Sequence, residues 1–408
     1  MEHKTEYKIT TETYDVPYPQ NYGIPFHIFE YGKGCYVWDK AGKQFLDFGS
    51  GIAVNALGHG REDLAAVASD QMKKLIHVSN LYTTEATLEL GFKLTSSGNF
   101  DAVHFGNSGS EANEAAIKYA RLYSFRKKGE GKHKILAFNN AFHGRTMGAL
   151  SCTPTEKYQK PFGPLIPGVE FCDFNDEAAV ESILSDEFAA VIVEPVQGEG
   201  GLEVMTEAFA SKLNSLCRDL DIILIADEVQ TGIARTGFPY ASALVGLEPD
   251  IITLSKPLAG GLPLSATLIP KKINKLVKVG EHGTTFGGGP VTCAVANRVL
   301  DLIFTPPFLA EVQSKGAYLG RGLEALSGRY STAGRVKGLG MLRGLEIGSP
   351  DDAGMALCDE IIAKAKERGL LLLRSGKNIL RIAPPLVITE KEMDEGLKII
   401  ESILEEIK

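Results

Sequence analysis

Between Ala102 and Leu254 the chain alternates short apolar runs with longer amphipathic stretches. The runs are Ala102–Phe105, Ile135–Phe138, Ala189–Val193, Ile222–Ala226 and Ile251–Leu254. Runs this short and this continuous predict strands buried on both faces, as in a parallel sheet covered by helices. The stretches between them predict helices over about Glu111–Arg126 and Glu207–Asp219. The fold class expected is therefore α/β, with a mostly parallel central sheet and helices on both faces.

The last hundred or so residues have longer helical patterns and short strands such as Met341–Ile347. They predict a second, smaller α+β domain. Near the start, Gly34–Trp38 and Lys43–Leu46 flank Asp39-Lys-Ala-Gly42 and predict a hairpin. The expected division is an amino-terminal segment over residues 1–60 that packs with the small domain, a large domain over 61–300, and the small domain over 301–408.

Composition narrows the class. The 408 residues are 44% hydrophobic and carry a net charge of −8, which suits a large core and disfavours a nucleic-acid surface. No run approaches the roughly 18 apolar residues of a membrane helix, and Met1–Lys8 is charged and unlike a secretory signal. A cytoplasmic location is expected. The six cysteines form no C-x-x-C pair and the eight histidines no H-x-x-x-H pair, so no metal site is expected and free thiols are the simple reading.

Chemistry gathers at strand ends. The run Ile222–Ala226 leads into Asp227, and Ile251–Leu254 leads into Ser255-Lys256. Ligands of open parallel sheets sit outside the carboxyl ends of the strands. A lysine desolvated there is a nucleophile, and an aspartate nearby can hold a protonated pyridine nitrogen. Either alone could be a helix cap or a solvated side chain; together they point to one crevice. The turn Asn107-Ser108-Gly109-Ser110 joins a strand to a helix, where free amide groups bind a single phosphate. It lacks the patterns of an ATP loop or a dinucleotide fold, and an ordinary capped turn is the plain alternative. In Ala141–Thr146, Phe142 could stack on a flat ring and Arg145 could clamp a carboxylate; a core aromatic and a surface ion pair are the plain alternatives. His143 reads as structural. Glu194 and Glu199 flank a glycine-rich loop. Paired carboxylates suit glycoside hydrolysis, but the lysine and the phosphate turn have no place in it.

Taken together, Gly51–His59, Asn107–Asn113, Phe142–Arg145, Glu194–Glu199, Asp227–Gly232, the Lys256 segment and His282–Gly287 resemble the class III, fold-type I aminotransferases, and among these the acetylornithine aminotransferases. The likeness runs from about Tyr22 to the C-terminus. It implies pyridoxal 5′-phosphate bound to Lys256 as a Schiff base. Asp227 would pair with the ring nitrogen, Gln230 with the ring hydroxyl, and Phe142 would cover one face. Ser108 and the backbone of Gly109 and Ser110 would hold the phosphate. Thr285 would reach the phosphate of a neighbouring subunit, with Thr284 close by, so a homodimer with shared sites is implied.

The likeness also implies substrate roles. Arg381 would bind the α-carboxylate of glutamate, and Glu199 would neutralise it when the amino donor is present. Arg145 would take the α-carboxylate of an acylated diamino acid. Ile52 stands where ornithine aminotransferases carry a tyrosine. Ser110, Lys256-Pro-Leu-Ala-Gly-Gly261 and Gly287–Pro290 depart from the acetylornithine pattern. Two half reactions are expected, with Lys256 as the general base. The amino group would pass from N2-acetylornithine to 2-oxoglutarate. Ornithine and 4-aminobutyrate transamination are the near alternatives. An aminomutase fits less well, because an Arg381–Glu199 switch would be wasted there.

Overall fold

The computed structural model describes Pro19, Asn21 and residues 27–407. The segment Met1–Lys8 lies outside the described residues. Fifteen strands are present among the described residues. The first three, β1 (Phe29–Lys33), β2 (Tyr36–Asp39) and β3 (Gln44–Asp47), form an antiparallel meander. The predicted hairpin is β2–β3, and its turn is held by Asp39 Oδ1, which accepts from the amides of Ala41 and Lys43, each at 2.9 Å.

The large sheet contains β4 (Ala102–Gly106), β5 (Lys134–Phe138), β6 (Val169–Cys172), β7 (Phe188–Val193), β8 (Ile223–Asp227), β9 (Ile251–Leu254) and β10 (Ser265–Ile269). Its order is β4-β10-β9-β8-β7-β5-β6. All neighbours are parallel except that β10 runs antiparallel to both β4 and β9. All six residues of β7 are buried. Strand side chains alternate between faces, and here each face meets a core. Ile135, Ala190, Ile192, Ile223, Ile225 and Ile251 pack with Ala116, Tyr119, Ala120 and Tyr123 of the helix Gly109–Lys128. Leu136, Val191, Val193, Leu224 and Ile252 turn the other way, into the core that holds Phe209, Leu213 and Cys217 of the helix Glu207–Asp219. Two cores on one sheet explain the unbroken apolar runs.

The remaining strands are β11 (Ala333–Leu339), β12 (Leu342–Ile347), β13 (Leu370–Leu371), β14 (Leu373–Ser375) and β15 (Ile379–Ile382). Four of them form an antiparallel sheet in the order β11-β12-β15-β14. The fifth, β13, pairs in parallel with β3 and ties the amino-terminal meander to the carboxyl-terminal part of the chain. Long helices flank these strands: Pro306–Arg329, Asp352–Glu367 and Glu390–Glu406. The last is opened by a capping box between Thr389 and Glu392. Among the described residues no single helix is long and apolar enough to cross a membrane. All six cysteines are buried and unpaired.

Candidate active site

Asp227 is the last residue of β8, and it pairs in register with Thr253 on β9, three residues before Lys256. The two strand ends therefore lie side by side, as expected from the sequence. The Asp227 carboxylate is buried and held from three directions. Its Oδ1 accepts the Val229 amide at 3.0 Å. Its Oδ2 accepts Asn113 Nδ2 at 2.7 Å and His143 Nδ1 at 2.8 Å. An ionised carboxylate has no proton to give, so Nδ1 is the donor. Asn113 is itself fixed, donating to the His143 carbonyl at 2.7 Å and accepting Thr253 Oγ1 at 2.8 Å.

Lys256 begins the short 3-10 turn Lys256–Ala259 and is half-buried. Burial pushes its pKa down, as does Arg381; Glu199, Asp227 and Glu194 oppose them without reversing the direction. The amine is thus biased toward its neutral, nucleophilic form.

The phosphate turn is built as a helix start. Ser108 caps the helix Gly109–Lys128. Its hydroxyl accepts the Glu111 amide at 3.3 Å, and Glu111 reaches back to the Asn107 amide at 2.8 Å. The amides of Gly109 and Ser110 precede the first intrahelical bond, from Ala112 to the Ser108 carbonyl. A Cβ on Gly109 would stand 2.7 Å from Val229 Cγ1, so glycine lets this turn press against the exit of β8. The Ser110 hydroxyl accepts the Arg145 amide at 3.1 Å, linking this turn to the loop after β5.

That loop carries Phe142, His143 and Arg145. The Phe142 amide donates to Glu194 Oε2 at 3.1 Å, and Glu194 Oε1 accepts the Gly198 amide at 3.1 Å. Burial pushes the Glu194 carboxyl up to about 7, with Asp227 adding to the effect and His143 opposing it. Arg145 is exposed and its guanidinium lies 3.6 Å from the centre of the Tyr158 ring.

Arg381, on β15, is buried and forms an ion pair with Glu199 while donating to the Gly198 carbonyl at 3.1 Å. Burial alone would raise the Glu199 pKa, but the charge and hydrogen bond of Arg381, with Lys256 and Gln230, bring it below the usual value. Ile52 is 46% exposed on the irregular turn Ser50–Ala53, where Ser50, Gly51 and Ala53 have φ of 50°, 75° and 59°. This turn is anchored by Asp47 Oδ1, which accepts the Gly49 and Ser50 amides at 2.9 and 2.8 Å. The Ser50 hydroxyl donates to the Ala383 carbonyl at 2.7 Å, two residues beyond Arg381. Thr284 lies beside Asn107 of the phosphate turn, with 3.5 Å between Asn107 Nδ2 and Thr284 Oγ1. Thr285 stands exposed, near Ser79 and Asn80.

Thus β8, β9, the phosphate turn and the Phe142 loop are linked by direct bonds, and the Arg381 strand joins them through the Glu194–Glu199 loop. Sequence reasoning missed Asn113, and it read His143 as structural although the ring is bound to Asp227. No periodicity marks either residue. The sequence signs are their place near strand ends and their membership of Asn107–Asn113 and Phe142–Arg145, two of the motifs that carry the resemblance.

The donor set suits pyridoxal phosphate. An amine with a lowered pKa, a buried carboxylate for a ring nitrogen and a helix start for one phosphate are all present. Gln230 Oε1 is buried without a partner, which leaves an acceptor for a hydroxyl of the cofactor.

The family model described as aminotransferase class-III matches residues 18–404. A probable mitochondrial acetylornithine aminotransferase of Dictyostelium discoideum is 44% identical over 92% of this chain and 83% of its own length. An acetylornithine aminotransferase of Caldanaerobacter subterraneus is 42% identical over 92% of this chain and 94% of its own. The ornithine aminotransferase of Toxoplasma gondii is similar in structure, with a TM-score of 0.90, 31% identity, and coverage of 95% of this chain and 92% of that one. A second structure of that enzyme, at a TM-score of 0.89 and 31% identity over 95% of this chain and 91% of that one, is described as showing partial occupancy of PLP at the active site. From its sequence and its architecture alike, the chain belongs to the class-III aminotransferases, transaminases of the α/β fold type I that use pyridoxal phosphate to exchange amino groups between amino and keto acids.

Proposed function

We propose that this enzyme moves the terminal amino group of N2-acetylornithine to 2-oxoglutarate, giving N-acetylglutamate 5-semialdehyde and glutamate, as a step of arginine biosynthesis. The observation that carries this reading is the contact between Arg381 and Glu199 beside Lys256. A paired Arg381 presents little net charge to an amino donor. Released from Glu199, it is a buried guanidinium ready for the carboxylate of glutamate or 2-oxoglutarate. Arg145, which has no carboxylate partner among the described residues, is the complementary cation for the donor's carboxylate. Ile52 supplies an apolar, non-bonding contact in keeping with an acylated amino group. The names of the two curated relatives above agree with this choice.

Bound pyridoxal phosphate supplies an aldehyde that captures amines and a cationic ring that accepts the electron pair of a broken C–H bond. Lys256 would hold it through its side-chain amine. Lys256 Nζ would also take the proton from the amine-bearing carbon of the donor. Asp227 keeps the proton on the ring nitrogen, with Asn113 and His143 holding its carboxylate in place. Gln230 would bond the ring hydroxyl and Phe142 would cover the ring. Ser108, Gly109 and Ser110 take the phosphate. Thr285, exposed in this chain, serves the site of a second copy, with Thr284 near the same boundary. The working enzyme is therefore a homodimer, and we place it in the cytoplasm.

The test compares N-acetylornithine, ornithine and 4-aminobutyrate as donors to 2-oxoglutarate. The reading predicts the highest kcat/KM for N-acetylornithine. A clear preference for either of the others contradicts it.

A further inference from the structure

We propose that Tyr158 is a positioning residue for Arg145, and that through it the enzyme selects amino donors carrying a free carboxylate. This rests on the reading that Arg145 meets the donor's carboxylate, and it adds the device that aims the arginine.

Arg145 is exposed, yet its guanidinium sits 3.6 Å from the Tyr158 ring centre and 5.4 Å from that of Phe142. Among the described residues the guanidinium has no carboxylate and no hydrogen-bond acceptor. An arginine in this state has one face covered by an aromatic ring and its in-plane N–H donors open at the edge. That is the arrangement a bidentate carboxylate contact needs. The backbone is fixed as well: Ser110 Oγ accepts the Arg145 amide at 3.1 Å, and the preceding Gly144 has φ of 137°, which favours glycine.

The platform under the guanidinium is rigid. Tyr158 lies on the short helix Glu156–Gln159. Its neighbour Gln159 uses Nε2 to bond the carbonyls of Leu150 at 3.1 Å and Thr153 at 2.8 Å. That amide ties the helix to the next helix back along the chain, Met147–Ser151, which begins two residues after Arg145, and to Thr153 just beyond it. Lys157 Nζ lies 5.1 Å from the Tyr158 ring centre and adds positive charge to the same place. Stacking removes freedom from a long side chain before the donor binds, so less is lost on binding. The stacked arginine is exposed and its side chain contacts the Tyr158 and Phe142 rings, not Lys256, so its effect falls on donor binding.

The experiment uses the holoenzyme and two donors that differ in one group: N-acetylornithine and its carboxylate-free counterpart N-acetyl-1,4-diaminobutane. Wild type, Arg145→Ala, Tyr158→Ala, Tyr158→Phe and Lys157→Ala are compared. Tyr158→Ala is expected to raise KM for N-acetylornithine about three- to thirty-fold with kcat held, the span of an exposed to a desolvated cation–π contact. It should leave the carboxylate-free donor and KM for glutamate unchanged. Tyr158→Phe should behave as wild type, because the ring and not the hydroxyl does the work. An equal loss with both donors would mean a general structural role and would overturn the proposal. So would a larger loss of discrimination in Lys157→Ala than in Tyr158→Ala. If wild type discriminates, Arg145→Ala removes the discrimination and Tyr158→Ala keeps it, the proposal alone falls. If wild type does not discriminate, or Arg145→Ala leaves discrimination intact, the role given to Arg145 falls and takes the proposal with it.

Discussion

His143 Nδ1 stands 2.8 Å from Asp227 Oδ2, and both side chains are buried at the end of the central sheet. Asn113 Nδ2 meets the same oxygen at 2.7 Å. The carboxylate assigned to the ring nitrogen is thus fixed by one partner from a helix and one from a loop. A hydrogen bond to a charged group contributes about 1.5–3 kcal/mol. The site's electrostatics depend on where this carboxylate points, so removing a partner must show in the rate. His143→Ala is expected to lower kcat by about 10- to 100-fold, with a changed cofactor absorption band and little change in KM for glutamate. Turnover and the visible spectrum of the purified variant check this together.

Glu194 gives a pH signature. Burial, helped by Asp227, lifts its carboxyl to about 7 from an ordinary value near 4.5. The folded chain then binds a proton that the unfolded chain releases between those values. Stability therefore falls as pH rises from about 4.5 to 7 on account of this group. Glu194→Gln has no such proton. The stability of wild type minus that of Glu194→Gln should decline across this window and level off outside it. Urea midpoints measured at half-unit steps of pH read the slope directly; a flat or rising difference would remove Glu194 from the account.

Among the described residues the fully buried Arg235 has no carboxylate partner in an ion pair, and burial holds its pKa down at about 9. Its Nη1 donates to the Pro384 carbonyl at 2.5 Å and reaches the Met341 carbonyl at 3.4 Å, while the Met341 amide donates to the Arg235 carbonyl at 3.0 Å. It ties the loop after β8 to the segment that holds Arg381. Arg235→Ala is expected to destabilise the fold by roughly 2–5 kcal/mol, through a cavity and two carbonyls left without a donor. Arg235→Met fills most of the space and should lose less. Both variants should raise KM for glutamate, because the Arg381 segment loses an anchor. Chemical denaturation and glutamate kinetics on the same preparations test the link.

The parts of this fold that were legible in the sequence are those in which local chemistry and tertiary setting agree. The apolar runs from Ala102 to Leu254 became strands, and the helix Glu207–Asp219 formed with the expected bounds. The helix expected from Glu111 begins at Gly109, because Ser108 acts as its cap. Strand β10 was not legible: Ser265-Ala-Thr-Leu-Ile269 is short and mixed, and only its antiparallel neighbours β4 and β9 make it a strand. The pairing of β13 with β3 joins residues more than three hundred positions apart, which no window along the chain can reveal. At the site, Lys256 and Asp227 announced themselves by ending apolar runs. His143 and Asn113 did not, because their significance lies in which carboxylate they touch. The Ser110 hydroxyl accepts the Arg145 amide, a contact set by how two loops pack.

Glu199 is expected to act on one half reaction only. Its carboxyl lies below the ordinary range, because Arg381 and its neighbours outweigh the effect of burial, so the pair is intact at neutral pH and is lost only as pH falls through that lowered value. Glu199→Gln leaves Arg381 uncompensated. The variant should lose about tenfold or more in kcat/KM for the acylated donor, on the order of 1.4 kcal/mol, while its KM for glutamate stays the same or falls. Separate single-turnover measurements of the two half reactions distinguish this from a general defect.

Everything assigned to the site depends on the Lys256 side chain being the one that carries the vitamin B6 aldehyde. The most direct measurement is borohydride reduction of the yellow holoenzyme, followed by proteolysis and mass spectrometry. The account predicts a single modified peptide with the cofactor fixed to Lys256, and no modification in Lys256→Ala, which should turn over glutamate negligibly. A label on another lysine, or a Lys256→Ala variant that keeps substantial transamination, would contradict it.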